Sequence, residues 1–310
     1  MNDTFSQKAV LVTGANGFVG AHLVKTLEKQ GAQVFAQVRQ GSDTYRFDRL
    51  NTNPTRIEMD LCDATTVQQQ LQAIRPHYVF NTVVNRNYDD VTTTIRLNTL
   101  ALVNLLESAQ GPKLKAFVHC GSSTEYGNLP GPFHETDLPA PCTLYGGAKL
   151  AGSQLLQSLS RSQKIPVAIL RLFHIYGPLE SDNRLIPTAI RNISDDKPVK
   201  LTDRGCTHDP VHIDDVVNAC LLAAHSCNYG DIFNIANGCK TSNEDIVNTI
   251  ASILGKKPSI QSGAFPRREW DRDDWFANVD KARHVLGWTA TMDLQQGLSK
   301  TIDWMKSHAT

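Results

Sequence analysis

Tyr145 and Lys149 stand four residues apart in CTLYGGAKLAG, residues 142–152. On a helix that spacing puts both on one face. A phenol with a pKa of about 10 is a poor acid or base at neutral pH. A neighbouring ammonium stabilises the phenolate and draws that pKa toward the working range. No other tyrosine in the chain has a lysine four places on, yet one such pair arises readily by chance. A second signal lies upstream: CGSSTEYG, residues 120–127, carries Ser122, Ser123 and Thr124 at the end of an apolar run. Ligands of open parallel sheets bind at that edge of a strand. A serine hydroxyl and a tyrosine phenol can together grip one carbonyl oxygen while hydride moves to or from its carbon.

Hydride needs a carrier, and LVTGANGFVG, residues 11–20, offers a cradle for one. Gly14, Gly17 and Gly20 follow a short apolar run directly. In a doubly wound sheet the first strand-to-helix turn aims helix N–H groups at bound phosphate, and glycine lets the backbone come close. The GxxGxxG spacing is a close variant of the commoner GxGxxG; a packing turn without ligand is the plainer alternative. The second strand, QVFAQVRQ, ends at Arg39, and no acid occurs from Gln30 to Ser42. An NAD enzyme places Asp or Glu there for the ribose hydroxyls. A guanidinium instead suits a 2′-phosphate, so NADP(H) is expected over NAD(H), with a solvated surface arginine as the alternative. Asp60, in MDLCD, is placed to accept from the adenine amine, or else is a strand-end turn residue.

The elements that must hold these groups follow from periodicity. Short β-branched runs at 9–13, 34–38, 57–60, 78–81, 117–120 and 167–172 read as strands. Between them lie amphipathic patterns, such as 18–30 stopped by Gly31 and 64–74 stopped before Pro76. Such alternation predicts an α/β fold: a Rossmann-type, doubly wound parallel sheet with helices on both faces and a smaller C-terminal substrate lobe. After Tyr176 the rhythm loosens, with breaks at Pro178, Pro187, Pro198 and Pro210, an isolated strand at 231–235, and a closing helix at 294–305 carrying Trp304. The expected division is a dinucleotide-binding domain over 1–175 plus about 209–240, and a lobe over 176–208 and 241–310.

Composition narrows the function classes. The 310 residues are 41% apolar and 20% charged, with 31 basic and 31 acidic side chains. That balance builds no field for nucleic acid or an anionic membrane. The polar start, MNDTFSQ, is not expected to act as a secretory leader, and the apolar runs are too short to span a bilayer. Cys62, Cys120, Cys142, Cys206, Cys220, Cys227 and Cys239 form no CxxC pair. Reduced, mostly buried thiols and a cytoplasmic location are expected.

Taken in order, TGANGFVG, DLCD, NTLALVNLLE, GSSTEYG, YGGAK, LRLFHIYGP, HDPVHIDDV and NVDKARHVLGW resemble the extended short-chain dehydrogenases/reductases that act on nucleotide sugars. The resemblance runs from about Lys8 to Met305. It implies a catalytic trio: Tyr145 as acid–base, Ser122 as hydrogen-bond partner of the carbonyl, Lys149 as pKa tuner and ribose anchor. It further implies cofactor contacts from Gly14, Asn16, Gly17, Phe18, Val19, Gly20, Arg39, Asp60, Leu61, Thr82, Val83 and Lys149. Asn98 is expected to support the active-site helix, the second half to bind the sugar nucleotide, and the protein to form a homodimer.

Departures from the family pattern refine the expectation. The 4,6-dehydratases of the family carry an acid pair after the catalytic hydroxyl, such as Thr-Asp-Glu; the matching run here is Ser122-Ser123-Thr124, and Glu125 falls one place late, a displacement that a bulge could make good. Dehydration is therefore disfavoured. The GSSxEYG form is similar to the 4-keto-6-deoxyhexose reductases, which makes NADP(H)-dependent reduction of a keto sugar the leading reading. Redox-neutral epimerisation with tightly held NAD(P) is the alternative, and a non-catalytic cofactor-binding regulator ranks last. Ser123 and Thr124 are substrate-side candidates. So are His174, in place of the usual Asn, and His208, in place of the usual Arg. Arg267, with Arg268 beside it, could supply the missing charge. The cluster His208, Asp209, His212, Asp214 and Asp215 invites a metal reading, but Pro210 forbids one helix through it. No metal is expected, and His119 reads as a core histidine.

Overall fold

The computed structural model describes residues 4–85, 90–203, 205–226, 228–266, 268 and 271–308. The chain runs β1 (Ala9–Thr13), α1 (Phe18–Lys29), β2 (Gln33–Val38), α2 (Tyr45–Leu50), β3 (Thr55–Glu58), α3 (Ala64–Ile74) and β4 (Tyr78–Asn81). It continues through α4 (Val91–Asn98), α5 (Leu100–Ala109), β5 (Ala116–Ser122), a 3₁₀ turn at Ser123–Glu125, α6 (Leu144–Gln163) and β6 (Val167–Leu172). Then come β7 (His174–Tyr176), α7 (Leu185–Ser194), β8 (Val199–Lys200), β9 (Thr207–His208), β10 (Pro210–His212) and α8 (Ile213–His225). Last are β11 (Tyr229–Ile235), β12 (Thr241–Ser242), α9 (Asn243–Leu254), β13 (Ile260–Gln261) and α10 (Leu294–Ser307).

One compact unit comprises Met1–Gly127, Leu138–Arg171 and Val217–Phe233. Its strands β1 and β6 are buried at every position, which is why they read as unbroken apolar runs and not as alternating ones. They belong to a seven-stranded sheet in the order β11-β6-β5-β4-β1-β2-β3. β1 pairs parallel with both β2 and β4, β2 with β3, and β4 with β5. The Rossmann-type parallel sheet flanked by helices is therefore present. Leu11, Val79, Phe117 and Ile169 of the sheet pack with Val67 and Leu71 of α3 and Leu102, Leu105 and Leu106 of α5. Fully burying each such side chain contributes about 1.5–3 kcal/mol.

Strand order reverses between β1 and β4, so a ligand crevice is expected beyond their carboxyl ends. Two expectations shift. β3 lies two residues earlier than expected, because Asp60 opens a turn in which its carboxylate accepts the Cys62 N–H at 2.9 Å. The supposedly isolated run 231–235 is part of β11, the edge strand beside β6.

The other unit comprises Asn128–Asp137, Leu172–Val216 and Asn234–Thr310. Here short ladders replace a sheet: β7 with β10 and β8 with β13 are parallel, β9 with β12 antiparallel. Ile186, Ile190 and Ile193 of α7, Ile246, Val247 and Ile250 of α9, and Leu298 and Ile302 of α10 form its apolar core. Pro187 does not break the chain; it sits in the first turn of α7, where its missing N–H is not needed. Trp304 lies off the core face of α10 and stacks on His308 at 4.3 Å. Of the six described cysteines, all free, Cys120, Cys206 and Cys220 are buried and Cys239 is exposed. Cys227 lies outside the described residues. Among the described residues no helix is long and apolar enough to cross a membrane.

Candidate active site

The glycine turn joins β1 to α1 at the reversal of strand order. Gly14 takes a left-handed φ of 65°, which a side chain rarely tolerates. A Cβ on Gly20 would lie 2.8 Å from the Ala15 Cα and 2.9 Å from the Thr82 hydroxyl, so β1, α1 and the end of β4 meet only because that position is bare. Gly17 caps α1 without any side-chain hydrogen bond, whereas Asp63, Thr143, Ser242 and Asp293 cap their helices with side chains. Peptide N–H groups at such an end are suited to phosphate oxygens. The turn therefore fits a dinucleotide's pyrophosphate, while its tight packing also accounts for two of its glycines.

A buried polar row that the motif reading missed underlies this edge. Thr13 is in register with Gln37 on one side and Asn81 on the other, and Asn81 with His119. The Gln37 carboxamide accepts the Gly14 N–H at 2.9 Å and donates to the Met59 carbonyl at 2.7 Å. It thus ties the glycine turn to the end of β3. The Thr13 hydroxyl donates to Asn81 at 2.6 Å, and Asn81 Nδ2 lies 2.9 Å from His119 Nδ1. His119 is a core residue as expected, though its Nε2 has no partner among the described residues. Burial and the Lys149 charge hold it well below the ordinary histidine range. The only sequence signal for the row was a polar residue near the end of each apolar run.

The other cofactor candidates also gather at strand ends. The Thr82 hydroxyl donates to the Thr13 carbonyl at 2.8 Å, Val83 follows it, and Leu61 is buried behind the exposed Asp60. Asn16, Phe18 and Val19 are half-buried. Asn16 donates to the Asp43 carbonyl at 2.9 Å and accepts from Arg46 at 3.2 Å. Arg39 is exposed immediately beyond β2.

Ser122 ends β5, and its hydroxyl lies 2.8 Å from that of Thr124. Ser123 is buried in the same turn. α6 carries Tyr145 and Lys149 against this turn, and Gly146 is what permits the approach: a Cβ there would come 2.5 Å from the Thr124 carbonyl oxygen. Tyr145 is half-buried, with Lys149 Nζ 6.0 Å from its ring centre. Lys149 is buried and donates to the Val83 and Cys120 carbonyls, both at 3.1 Å. Burial pushes its pKa down to about 8, while Cys120 and Glu125 hold it up. Asn98 is buried at the end of α4, donating to the Thr94 carbonyl at 2.8 Å.

In the second unit the rings of His174 and His208 lie 4.9 Å apart. Burial pushes His208 down to about 4, and the Arg184 charge acts in the same direction, so it is neutral at physiological pH. Arg267 lies outside the described residues. Two carboxylates of the 208–215 stretch are engaged with main-chain groups. Asp209 accepts the N–H groups of Asn237, Gly238 and Ala277, and Asp215 those of Thr291 and Met292. Among the described residues no three such side chains are grouped to hold a metal ion.

Residues 10–236 match the NAD dependent epimerase/dehydratase family. The chain is 25% identical to the dTDP-glucose 4,6-dehydratase of Streptomyces niveus, covering 96% of this chain and 93% of that one. It resembles the UDP-glucose 4-epimerase of Thermotoga maritima, solved with UDP-glucose, at 25% identity and a TM-score of 0.87, covering 97% and 99% of the two chains. MoeE5, solved with UDP-glucuronic acid and NAD, is 31% identical with a TM-score of 0.83, covering 96% and 99%. The chain belongs to the NAD dependent epimerase/dehydratase family, as an enzyme of the extended short-chain dehydrogenase/reductase type.

Proposed function

We propose that the protein reduces the keto group of a nucleotide-activated 4-keto-6-deoxy sugar, drawing hydride from NADPH. The observation that carries this reading is the hydroxyl run Ser122-Ser123-Thr124. The next carboxylate in the chain, Glu125, is committed to Arg171 at 2.9 Å and to the Ser122 N–H at 2.9 Å. Neither a paired acid nor a paired base for drawing water out of a sugar stands at these positions. Bound reduced nicotinamide supplies the hydride. Ser122 and Tyr145 hydrogen-bond the substrate carbonyl, and the Tyr145 phenol gives its proton to that oxygen as negative charge develops. Lys149 stabilises the phenolate left behind. His174 and His208 serve as substrate contacts, weaker toward phosphate than arginine would be. Incubation with a panel of 4-keto-6-deoxy sugar nucleotides and NADPH tests the reading: nicotinamide absorbance falls with at least one of them, and unchanged absorbance across the panel refutes it.

The pH dependence follows from Lys149. Its charge is complete below a pKa of about 8 and is lost as pH rises through it, so kcat/KM declines on the alkaline side from about that point. A Lys149→Arg enzyme keeps its charge and carries the decline to higher pH. A pH–rate profile that is the same for both proteins contradicts the role given to Lys149.

NADPH over NADH is supported by the exposed Arg39 beyond β2 and by Arg46, whose guanidinium reaches the Asn16 carbonyl at 3.2 Å. One charge-assisted hydrogen bond contributes about 1.5–3 kcal/mol, or about 10–150-fold in affinity. Arg39→Ala is expected to weaken NADPH by that factor and leave NADH unchanged in a fluorescence titration. Equal loss for both would mean that Arg39 does not read the 2′-phosphate. Redox-neutral epimerisation is the second reading, favoured by the likeness to an epimerase solved with UDP-glucose. Turnover by the purified protein without added cofactor would select it.

A further inference from the structure

The proposed trio makes no use of a buried ion pair next to it. Glu125 and Arg171 are joined at 2.9 Å, with side-chain exposures of 0% and 2%. The second carboxylate oxygen of Glu125 accepts the Ser122 N–H at 2.9 Å, closing a capping box around the hydroxyl turn. Arg171 lies over the Tyr126 ring at 4.4 Å, a cation–π contact that holds the guanidinium in place. Gly121 makes room for the arrangement, because a Cβ there would stand 2.5 Å from the Glu125 oxygen. Burying two charges is costly unless each is fully engaged. Here one carboxylate is spent on fixing the backbone of a single serine.

We propose that Glu125 is a positioning residue for this site, its carboxylate tying the Ser122 turn to Arg171 and setting a negative charge on the Ser122 N–H, two residues on from the Cys120 carbonyl that holds the Lys149 ammonium. The proposal rests on the reading of Ser122 and Lys149 as working groups. The titratable and charged groups acting on Lys149 are Cys120 and Glu125, which favour its charged form, and His119, whose own protonation Lys149 suppresses. Lys149 Nζ lies over the Tyr145 ring, 6.0 Å from its centre. Glu125, even paired with Arg171, thus acts with Cys120 against the burial of Lys149. Through Lys149 it bears on Tyr145, while touching no substrate.

Glu125→Gln separates the charge from the shape, since the amide oxygen can still accept the Ser122 N–H. The readout is the pH titration of the Lys149 ε-methylene signal in the full-length protein labelled with ¹³C-lysine, identified by its loss in Lys149→Arg. The expected result is a Lys149 midpoint lower than in the wild type by about one pH unit or more, the size of shift a nearby opposite charge produces. A folded Glu125→Gln protein with an unchanged midpoint overturns the proposal; a purely structural Glu125 would lower the melting temperature and leave that midpoint alone. If an unpaired Arg171 prevents folding, Glu125→Gln with Arg171→Met removes both charges, and a smaller downward shift is expected, because a like charge farther from Lys149 goes with the carboxylate. Its absence there overturns the proposal equally. The titration needs neither cofactor nor substrate, so its failure is distinct from failure of the reductase reading.

Discussion

Replacing Tyr145 with phenylalanine lowers turnover by about 10²–10⁴-fold, the usual contribution of a positioned acid–base, and leaves cofactor affinity unchanged. The substitution removes one oxygen and keeps the ring. α6 stays in place because its amino end is capped by Thr143, which accepts the Gly146 N–H at 3.0 Å, and because Gly146 still packs on the Thr124 carbonyl. Lys149 stays in place because two main-chain carbonyls hold it. Loss of a group that acts only as charge develops lowers kcat and kcat/KM together. Steady-state rates and a cofactor titration measure both halves of the expectation. Wild-type turnover would show that another group delivers the proton, and lost cofactor binding would show that the ring change had disturbed the fold.

The largest expected effect on stability lies far from that chemistry in sequence. Asp209→Ala leaves a buried N–H group, that of Ala277, and two half-buried ones, of Asn237 and Gly238, without the carboxylate that accepts them at 3.0, 2.8 and 3.1 Å. An unsatisfied buried donor costs about 1–3 kcal/mol and the two half-buried ones add less, so the variant is expected to lose about 2–4 kcal/mol. That is a large share of the roughly 5–15 kcal/mol typical of a folded protein. Burial also pushes the Asp209 carboxyl up to about 6 from 3.8, with the backbone bonds opposing the shift. The folded form therefore takes up this proton more readily than the unfolded chain. Through Asp209, stability rises as pH falls from about 6 toward 3.8, and alanine removes that slope. Urea unfolding across the window measures the loss and the slope; unchanged midpoints would show that these loops do not depend on Asp209.

Signals that are local in sequence proved readable. The glycine turn, the hydroxyl run and the Tyr–Lys pair each sit within a few residues, so spacing alone located the strand ends and the helix that carry them. Local composition was ambiguous where acid and histidine are dense: HDPVHIDDV invites a ligand reading that Pro210 argued against, but not its actual use, in which Asp209 and Asp215 serve main-chain N–H groups up to 68 and 77 positions away. Gln37 was unread for a related reason. Its hydrogen bonds to Gly14 and Met59 span 23 and 22 positions, and no periodicity reports a contact made across neighbouring strands. Glu125 looked like a displaced catalytic acid until Arg171, 46 positions on, was seen to bind it. The β11 edge strand was placed only by pairing, because its apolar run says nothing about which strand it joins.

Tracing the hydride tests the central claim most directly. NADPH carrying deuterium at the transferable position is supplied with a 4-keto-6-deoxy sugar nucleotide, and the product sugar is examined by mass spectrometry. The account predicts one deuterium on the former carbonyl carbon, transferred by the wild type and not by Tyr145→Phe. Converted sugar free of deuterium, with the label still on the cofactor, would contradict it.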